Sequence, residues 1–171
     1  MRILLTLACL LATGSLGSAS GACPRDCGAV EDVIRKVNTY WQTNHPAEVR
    51  AFWDHAAYHT GNMEVYKLFG DKQMLDYSIR WAEHNHWKGA TETDPAKWKY
   101  RQYGEGHDYV LFGDWQICFQ TYLDLYQLQK DKQRIKRALE VMSYEADSKA
   151  TDYWWWADAL YMVMPVMTKL Y

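Results

Sequence analysis

The sequence predicts an all-α fold built from antiparallel helical hairpins, and three observations favour it. Four Pro and ten Gly fall mostly between long segments with helical periodicity. No run of residues alternates polar and apolar side chains with the period of two that is expected of a half-buried strand. The connections at Gly70 and at 130–131 are short, which is typical of neighbouring helices that pack antiparallel. Such hairpins could form a bundle, a solenoid or a toroid.

The periodicity and the helix-breaking residues divide the chain into six predicted helices. In chain order these are 30–43, 48–69, 71–86, 108–128, 131–144 and 152–171. Pro46 lacks a backbone N–H and lies just after the first helix, whereas Gly70 ends the second because Gly readily adopts the left-handed conformation. A polar segment rich in Gly, 87–107, predicts a long loop between the third and fourth helices.

The later helices differ in how much of their surface is apolar. In the third helix one face consists of Met74, Ser78, Trp81 and Asn85. In the fourth one face consists of Leu111, Trp115, Cys118, Tyr122 and Leu125. The last helix is apolar around almost its whole circumference, so we expect it to be buried on all sides. Pro165 cannot donate a hydrogen bond to the carbonyl of Tyr161, which predicts a kink or a strained turn there.

Composition and charge predict one folded domain and argue against a nucleic-acid-binding protein. Of the 171 residues, 49% are hydrophobic and 23% are charged, which is enough to bury a core. Nineteen Lys and Arg stand against 21 Asp and Glu without a basic run. Nine Trp and thirteen Tyr outnumber four Phe, and aromatic rings with a polar group suit sugar-binding clefts as well as ordinary cores.

The N-terminus has the pattern of a secretory signal peptide. Met1 and Arg2 precede the apolar run 3–12, and small residues follow to Ala22. Ten apolar residues are too few to span a bilayer, so no membrane span is predicted. We therefore expect a signal peptide over 1–22, a mature domain over 23–171, and export to the periplasm or the medium.

The cysteines leave two interpretations open. In an exported chain Cys23 and Cys27 could form a small disulfide loop, or both could be free thiols. Cys118 lies among apolar residues and is expected to be a small buried side chain. A three-residue gap without a second Cys/His pair does not predict a metal site.

Two carboxylates lie where the pattern predicts apolar surroundings. Asp114 lies within about 60° of the centre of the apolar face of the fourth helix. Asp158 stands alone in the apolar last helix, so we expect burial to raise its pKa, as a general acid near neutral pH requires. Asp124 is expected to be solvated, and Asp108 and Asp152 to cap helices. Each of the two buried acids could instead be held by a buried Trp N–H or Tyr O–H.

Three blocks resemble the unsaturated glycuronyl hydrolases. They are 112–126, 156–162 with the following Met164-Pro165-Val166, and 53–63. The chain is most similar to glycoside hydrolase family 105, the unsaturated rhamnogalacturonyl hydrolases, with family 88 as a more distant relative. The resemblance implies a six-hairpin (α/α) toroid with its active site in the central cavity, and it covers about 30–171.

The resemblance also implies a chemistry and its residues. The substrates would be oligosaccharides from pectin and rhamnogalacturonan degradation that carry a 4,5-unsaturated uronic acid at the non-reducing end. Asp158 would be the general acid/base that assists hydration of the double bond, and Asp114 the second carboxylate. Trp53 could stack on a sugar, His55 could bond a hydroxyl or simply pack, and Trp156 is a further substrate-binding candidate. No metal ion and no organic cofactor are implied.

The chain departs from the family in length. Members with a complete toroid are about twice as long, so we expect the N-terminal half of one, whose last helix is covered by a second copy, a partner or a C-terminal half. The competing hypothesis is a non-catalytic helical module that binds carbohydrate or a partner protein. A third is another toroid enzyme, an epimerase or a polysaccharide lyase, which would need a His or Tyr base.

Overall fold

The computed structural model describes residues 27–171, and within this range the protein has helices and no strand, which confirms the all-α prediction. The α-helices are α1 (Cys27–Asn44), α2 (Trp53–Phe69), α3 (Lys72–His84), α4 (Gly113–Gln116), α5 (Cys118–Leu128), α6 (Lys136–Asp147) and α7 (Asp158–Leu170). Two 3-10 turns, Pro95–Lys97 and Lys132–Ile135, lie in the connections. None of the described helices is long and apolar enough to cross a membrane. The predicted signal peptide (1–22) and the Cys23–Cys27 pairing lie outside the described part.

The core is organised around α5, which contacts α2 on one side and α7 on the other. All residues from Val110 to Leu125 are buried, so α5 is the helix enclosed on every side. Helix α3 packs on α2 and α5, while the short α4 packs on α7. Trp81, Tyr122 and Phe119 are among the largest fully buried side chains and fill the space between these helices. The packing therefore fixes the start of α7 beside α4.

Two predicted helices begin later than the sequence pattern indicated. Helix α2 starts at Trp53 rather than at 48, because the preceding segment buries Ala51 and Phe52 in extended conformation. The fourth predicted helix begins at Gly113, and Ile117 interrupts it between α4 and α5. The prediction that Asp108 caps this helix is wrong, because its carboxylate pairs with Lys99 at 2.6 Å in the loop.

The last helix begins at Asp158 rather than at 152. The prediction that Asp152 caps it is wrong: this exposed carboxylate accepts a hydrogen bond from the Tyr100 hydroxyl at 2.8 Å and lies 3.0 Å from the Arg101 guanidinium. The expectation of burial on all sides is also wrong, since Leu160 and Tyr161 are 52% and 55% exposed. Helix α7 therefore packs on α5 through one side and presents a second apolar side outward.

Pro165 lies inside α7, and the helix continues through it. Because Pro has no N–H, the carbonyl of Tyr161 lacks its usual donor. The side-chain amide of Gln120 supplies one, donating to the Tyr161 oxygen at 2.8 Å and to the Met162 oxygen at 3.0 Å. A residue of α5 thus satisfies the backbone where the sequence predicted strain.

Asp124 is buried rather than solvated, which corrects the sequence prediction. Its carboxylate lies 3.1 Å from the ammonium of Lys67 on α2 and 2.8 Å from that of Lys169 on α7. The apparent outer face of α5 is in fact covered by its two neighbours, because α5 is the central helix. Two lysines from different helices meet one acid at this point.

We expect Asp124→Asn to lower the free energy of unfolding by about 2 kcal/mol, because it removes a buried carboxylate that pairs with lysines of two helices. Urea unfolding followed by circular dichroism measures this. Glu64→Gln is the matched control: Glu64 also pairs with Lys67, at 2.6 Å, but its side chain is 68% exposed, so its loss should cost less than about 0.5 kcal/mol. Equal effects of the two substitutions would contradict a structural role of the Asp124 pairs.

Candidate active site

An open cleft of about 330 Å³ lies where α4, the start of α7 and the start of α2 converge. Its lining residues are Trp53, Tyr103, Phe112, Asp114, Trp155, Trp156, Asp158 and Met162. Four of the five residues predicted from the sequence, Trp53, Asp114, Trp156 and Asp158, thus come together in one cleft. Trp53 and Asp158 lie more than 100 positions apart in the chain and meet because α4 packs on both α2 and α7.

Asp114 is placed by α4, in whose first turn it lies. The preceding Gly113 permits the close approach of α4 to α7, since a Cβ there would lie 3.3 Å from the Trp156 ring and 3.6 Å from the Ala159 Cβ. Asp114 is 6% exposed. Burial raises the pKa of its carboxyl to about 6, and the negative charges of Asp158, Glu105 and Asp54 add to this effect. The site therefore contains a carboxyl group that is half protonated at about pH 6.

Asp158 is exposed, not buried as the sequence predicted. It is the first residue of α7, so no preceding helical turn covers it, and the irregular chain before it leaves it open to the cleft. A carboxylate in the first turn is also favoured by the partial positive charge of the helix N-terminus. The two acids consequently have different surroundings, one dry and one wet.

The alternative that a tryptophan N–H holds these acids finds no support at the nearest rings. The indole N–H groups of Trp115, which is next to Asp114, and of Trp154 are both buried and have no hydrogen-bond partner within the described chain. The Trp155 N–H donates to the carbonyl of Tyr100 at 3.2 Å. Trp115 and Trp154 thus donate to no group of the described chain, and Trp155 donates to a backbone carbonyl rather than to an acid.

Aromatic side chains form the walls of the cleft. The rings of Trp156 and Phe112 lie 4.7 Å apart, and those of Trp155 and Trp156 lie 4.6 Å apart. Trp53 and Trp155 are 44% and 53% exposed, so their ring surfaces are open to a ligand. Exposed indole rings beside a few polar groups are typical of sites that bind small ligands.

His55 is not among the residues that line the cleft. Its Nε2 lies 4.0 Å from a carboxylate oxygen of Asp54, which in turn lies 2.8 Å from the Arg50 guanidinium. Arg101 lies in the loop and pairs with Asp152. The assignment of His55 to substrate binding stays a prediction without geometric support.

Sequence reasoning missed Tyr103, which lies at the rim of the cleft. Its hydroxyl donates to Glu105, and Glu105 lies 2.6 Å from Arg50, so a charged pair holds the ring in place. The hydrogen bond to Glu105 raises the pKa of the Tyr103 hydroxyl. The only signal in the sequence was the Gly-rich polar loop around it, which does not single out one residue.

Antiparallel helical hairpins thus bring two carboxylates and several indole rings into one cleft. The chain belongs to Glycosyl Hydrolase Family 88, which it matches over residues 28–171. The sequence resemblance to family 105 and, more distantly, to family 88 is therefore confirmed at the level of family 88.

Two solved structures are similar to the chain over most of its length. One is a glycosyl hydrolase family 88 protein from Bacteroides vulgatus, with 56% identity and a TM-score of 0.82 over 84% of this chain and 41% of that one. The other is described as a polysaccharide lyase, with 64% identity and the same TM-score over 84% and 40% of the two chains. The chain thus spans about two fifths of the length of these relatives, and the predicted fold, part of a helical toroid, is confirmed. A comparison with curated proteins gave no match.

Proposed function

We propose that this chain carries the catalytic carboxylates of a hydrolase that hydrates the 4,5-double bond of an unsaturated uronic acid. The preferred substrate is the uronic acid linked to rhamnose, as pectin and rhamnogalacturonan degradation produce it. The observation that carries the proposal is the meeting of Asp114 and Asp158 in one aromatic cleft. Family membership supports the reaction class, and the resemblance to family 105 supports the rhamnose preference.

In the proposed reaction Asp158 is the general acid and base, since its side chain is exposed to the cleft and can reach a substrate. Its carboxyl proton goes to C4 of the vinyl ether, and positive charge develops at C5 and the ring oxygen. A water oxygen then bonds to C5 while the Asp158 carboxylate takes the proton from that water. The resulting hemiketal opens and releases the next sugar, so one water is consumed and Asp158 regains its proton.

Asp114 has a binding role in this scheme. An ionised carboxylate accepts hydrogen bonds from sugar hydroxyls, and such charge-assisted bonds are stronger than neutral ones. Trp53 and Trp155 offer exposed ring faces to the sugar on either side of the acids. The uronic acid ring would therefore be held by Asp114 and the indole rings while Asp158 transfers the proton.

Elimination is the second candidate, because one similar structure is described as a polysaccharide lyase and Tyr103 lies at the cleft. A lyase creates the double bond that a hydrolase consumes, and it needs a base such as a tyrosinate. The hydrogen bond from Tyr103 to Glu105 raises the pKa of the tyrosine, which disfavours the anion. Hydration is therefore the better-supported reaction.

The test incubates the chain with an unsaturated uronic acid linked to rhamnose and follows the ultraviolet absorbance of the double bond. Hydration lowers the absorbance and releases one rhamnose per double bond lost, whereas elimination on a saturated oligosaccharide raises it. The lyase reaction that forms the 4,5-double bond also removes the stereocentre at C4. Unsaturated residues derived from galacturonic and from glucuronic acid are therefore identical, and such substrates differ only in the sugar that follows. The same uronic acid linked to an amino sugar should react more slowly. A folded chain that leaves the absorbance unchanged would contradict the proposal and favour a non-catalytic module.

The pH dependence should report the ionisation of Asp114. The pKa of its carboxyl is raised to about 6, so the carboxylate that binds sugar hydroxyls forms as the pH rises through this value. Hydration also needs a proton on Asp158, so the active form carries one proton between the two acids, and that proton is lost as the pH rises through about 6. We expect kcat/KM to fall between about pH 5 and pH 7 and the midpoint of this limb to move away from pH 6 in Asp114→Asn, measured with the same absorbance assay. An unchanged midpoint in Asp114→Asn would assign the limb to another group.

Export of the chain, expected from residues 1–22, belongs to the same proposal. The protein would then meet its oligosaccharides outside the cytoplasm. Cell fractionation followed by N-terminal sequencing tests this, and a cytoplasmic protein that retains Met1 would contradict it.

A further inference from the structure

A second cavity, of about 640 Å³, lies between the end of α3 and the start of α6. Its lining residues are His86, Trp87, Lys88, Thr91, Thr93, Gln133, Lys136, Arg137 and Glu140. None of them lines the cleft that contains Asp114 and Asp158. The volume falls within the range of about 300–1,000 Å³ that is usual for sites of small ligands.

The cavity is positively charged in a protein whose formal net charge is -2. Its lining contains three cationic side chains, Lys88, Lys136 and Arg137, and one carboxylate, Glu140. The Glu140 carboxylate lies 2.7 Å from the Arg137 guanidinium. Within the described chain neither Lys88 nor Lys136 takes part in an ion pair, whereas Lys97 and Lys99 of the same loop do. Two cations at this cavity are therefore free to meet an anion.

Arg137 gives the cavity a fixed cationic wall. It is 5% exposed, and its guanidinium donates to the carbonyls of Ala90 and Glu92 at 3.2 Å and 2.6 Å. The same group lies 5.0 Å above the ring of Trp98. Its Nε–H is buried without an acceptor in the described chain, so the guanidinium keeps unused hydrogen-bonding capacity.

The remaining lining combines an aromatic ring with neutral polar groups. His86 and Trp87 have φ angles of 52° and 59°, a left-handed conformation that is unfavourable for bulky side chains. The Trp87 ring is half-buried, and the Arg134 guanidinium lies 4.7 Å above it. Thr91, Thr93 and Gln133 add hydroxyl and amide groups. A ligand that matches this wall has an anionic group, a ring face and hydroxyls.

We propose that this cavity is a second, non-catalytic site that binds an acidic oligosaccharide through its uronate carboxylates. Lys88 and Lys136 attract the carboxylates, Arg137 fixes the positive wall, and Trp87 and the threonines contact the sugar rings. The site goes beyond the proposed hydration reaction: it would hold a uronate chain on the same protein that degrades its unsaturated fragments. It needs no double bond in the ligand.

The test measures binding of saturated trigalacturonate to the full chain by isothermal titration calorimetry, because this ligand has no double bond to hydrate. Lys88→Met with Lys136→Met should weaken binding by about tenfold, since each exposed charge pair contributes up to about fivefold. Lys36→Met, which removes an exposed lysine of α1, is the matched control and should bind as the wild type. Trp53→Ala alters the cleft but not the cavity, so it should leave the affinity for trigalacturonate unchanged.

Two further measurements fix the chemistry of the ligand. Binding should weaken as salt rises, and a neutral trigalactose should not compete. Unchanged affinity in the double lysine variant, or equal binding of the neutral trisaccharide, would overturn the proposal. Full displacement by inorganic phosphate at an equal concentration would also overturn it, because the site would then recognise charge without sugar. The double variant should hydrate unsaturated disaccharide at the wild-type rate, so the two proposals can fail separately.

Discussion

Replacement of Asp158 by Asn is expected to lower the rate of double-bond loss by about 10²- to 10⁴-fold, the usual contribution of a positioned general acid or base. Asn keeps the size and hydrogen-bonding shape of the side chain but has no proton to deliver to C4 and cannot accept one from water. The measurement is the initial rate of absorbance loss at saturating unsaturated disaccharide. The affinity for substrate, measured by calorimetry, should change by only a few-fold, because the indole walls and Asp114 remain.

Two comparisons give this result its meaning. Asp147→Asn removes an exposed carboxylate of α6 outside the cleft and should leave the rate unchanged. Asp114→Asn should raise KM more than it lowers kcat, since its proposed contribution is to hold sugar hydroxyls. An Asp158→Asn chain that keeps more than a tenth of the wild-type rate would contradict the assignment of Asp158 as general acid and base. A larger loss of kcat in Asp114→Asn than in Asp158→Asn would show that the two acids have the opposite roles.

Four residues of the cleft could be predicted from the sequence, but the exposure of Asp158 could not. An acid on an apolar helical face is conspicuous, and this singled out Asp114 and Asp158. The prediction that Asp158 is buried was wrong. The sequence pattern placed the start of the last helix at 152, so that helical turns would surround the acid, whereas the helix begins at Asp158 itself. Periodicity describes one helix, whereas exposure depends on where that helix begins and on what packs against it.

The same limit explains the errors in the fold. Helical periodicity correctly identified the element types, since apolar spacing reflects the geometry of a single helix. It failed at Phe52, which lies in extended chain, and at Val110, which lies in a turn, because tertiary packing buries both segments although neither is helical. It also failed at Asp124, whose apparently outer face is covered by α2 and α7. These features depend on contacts between distant segments, which a single sequence does not display.

The largest expected effect on stability comes from Glu145, a 5% exposed residue of α6. One of its oxygens accepts a hydrogen bond from the Gln116 amide at 2.6 Å, and the other has no partner in the described chain. Burial raises the pKa of its carboxyl from 4.5 to about 8. The native state therefore binds more protons than the unfolded chain between these two values, so the stability contributed by this residue falls as the pH rises through that range.

We expect Glu145→Gln to remove this dependence. Below about pH 4.5 the Glu145 carboxyl is protonated in both the folded and the unfolded wild type, so its ionisation does not affect stability. Above about pH 8 it is ionised in both states, and the buried charge destabilises the folded wild type by about 5 kcal/mol. The difference in Tm between variant and wild type should therefore grow steadily from pH 5 to pH 9 in thermal unfolding scans.

The matched control for this prediction is Glu83→Gln, which neutralises an exposed glutamate of α3. Its Tm difference from the wild type should stay nearly constant over the same pH range, because its side chain is exposed and the substitution leaves the buried contact between Glu145 and Gln116 unchanged. A Glu145→Gln variant whose Tm difference is also constant from pH 5 to pH 9 would show that Glu145 ionises freely in the native state. The carboxyl would then have found a partner or water that stabilises its charge at the contact between α6 and Gln116.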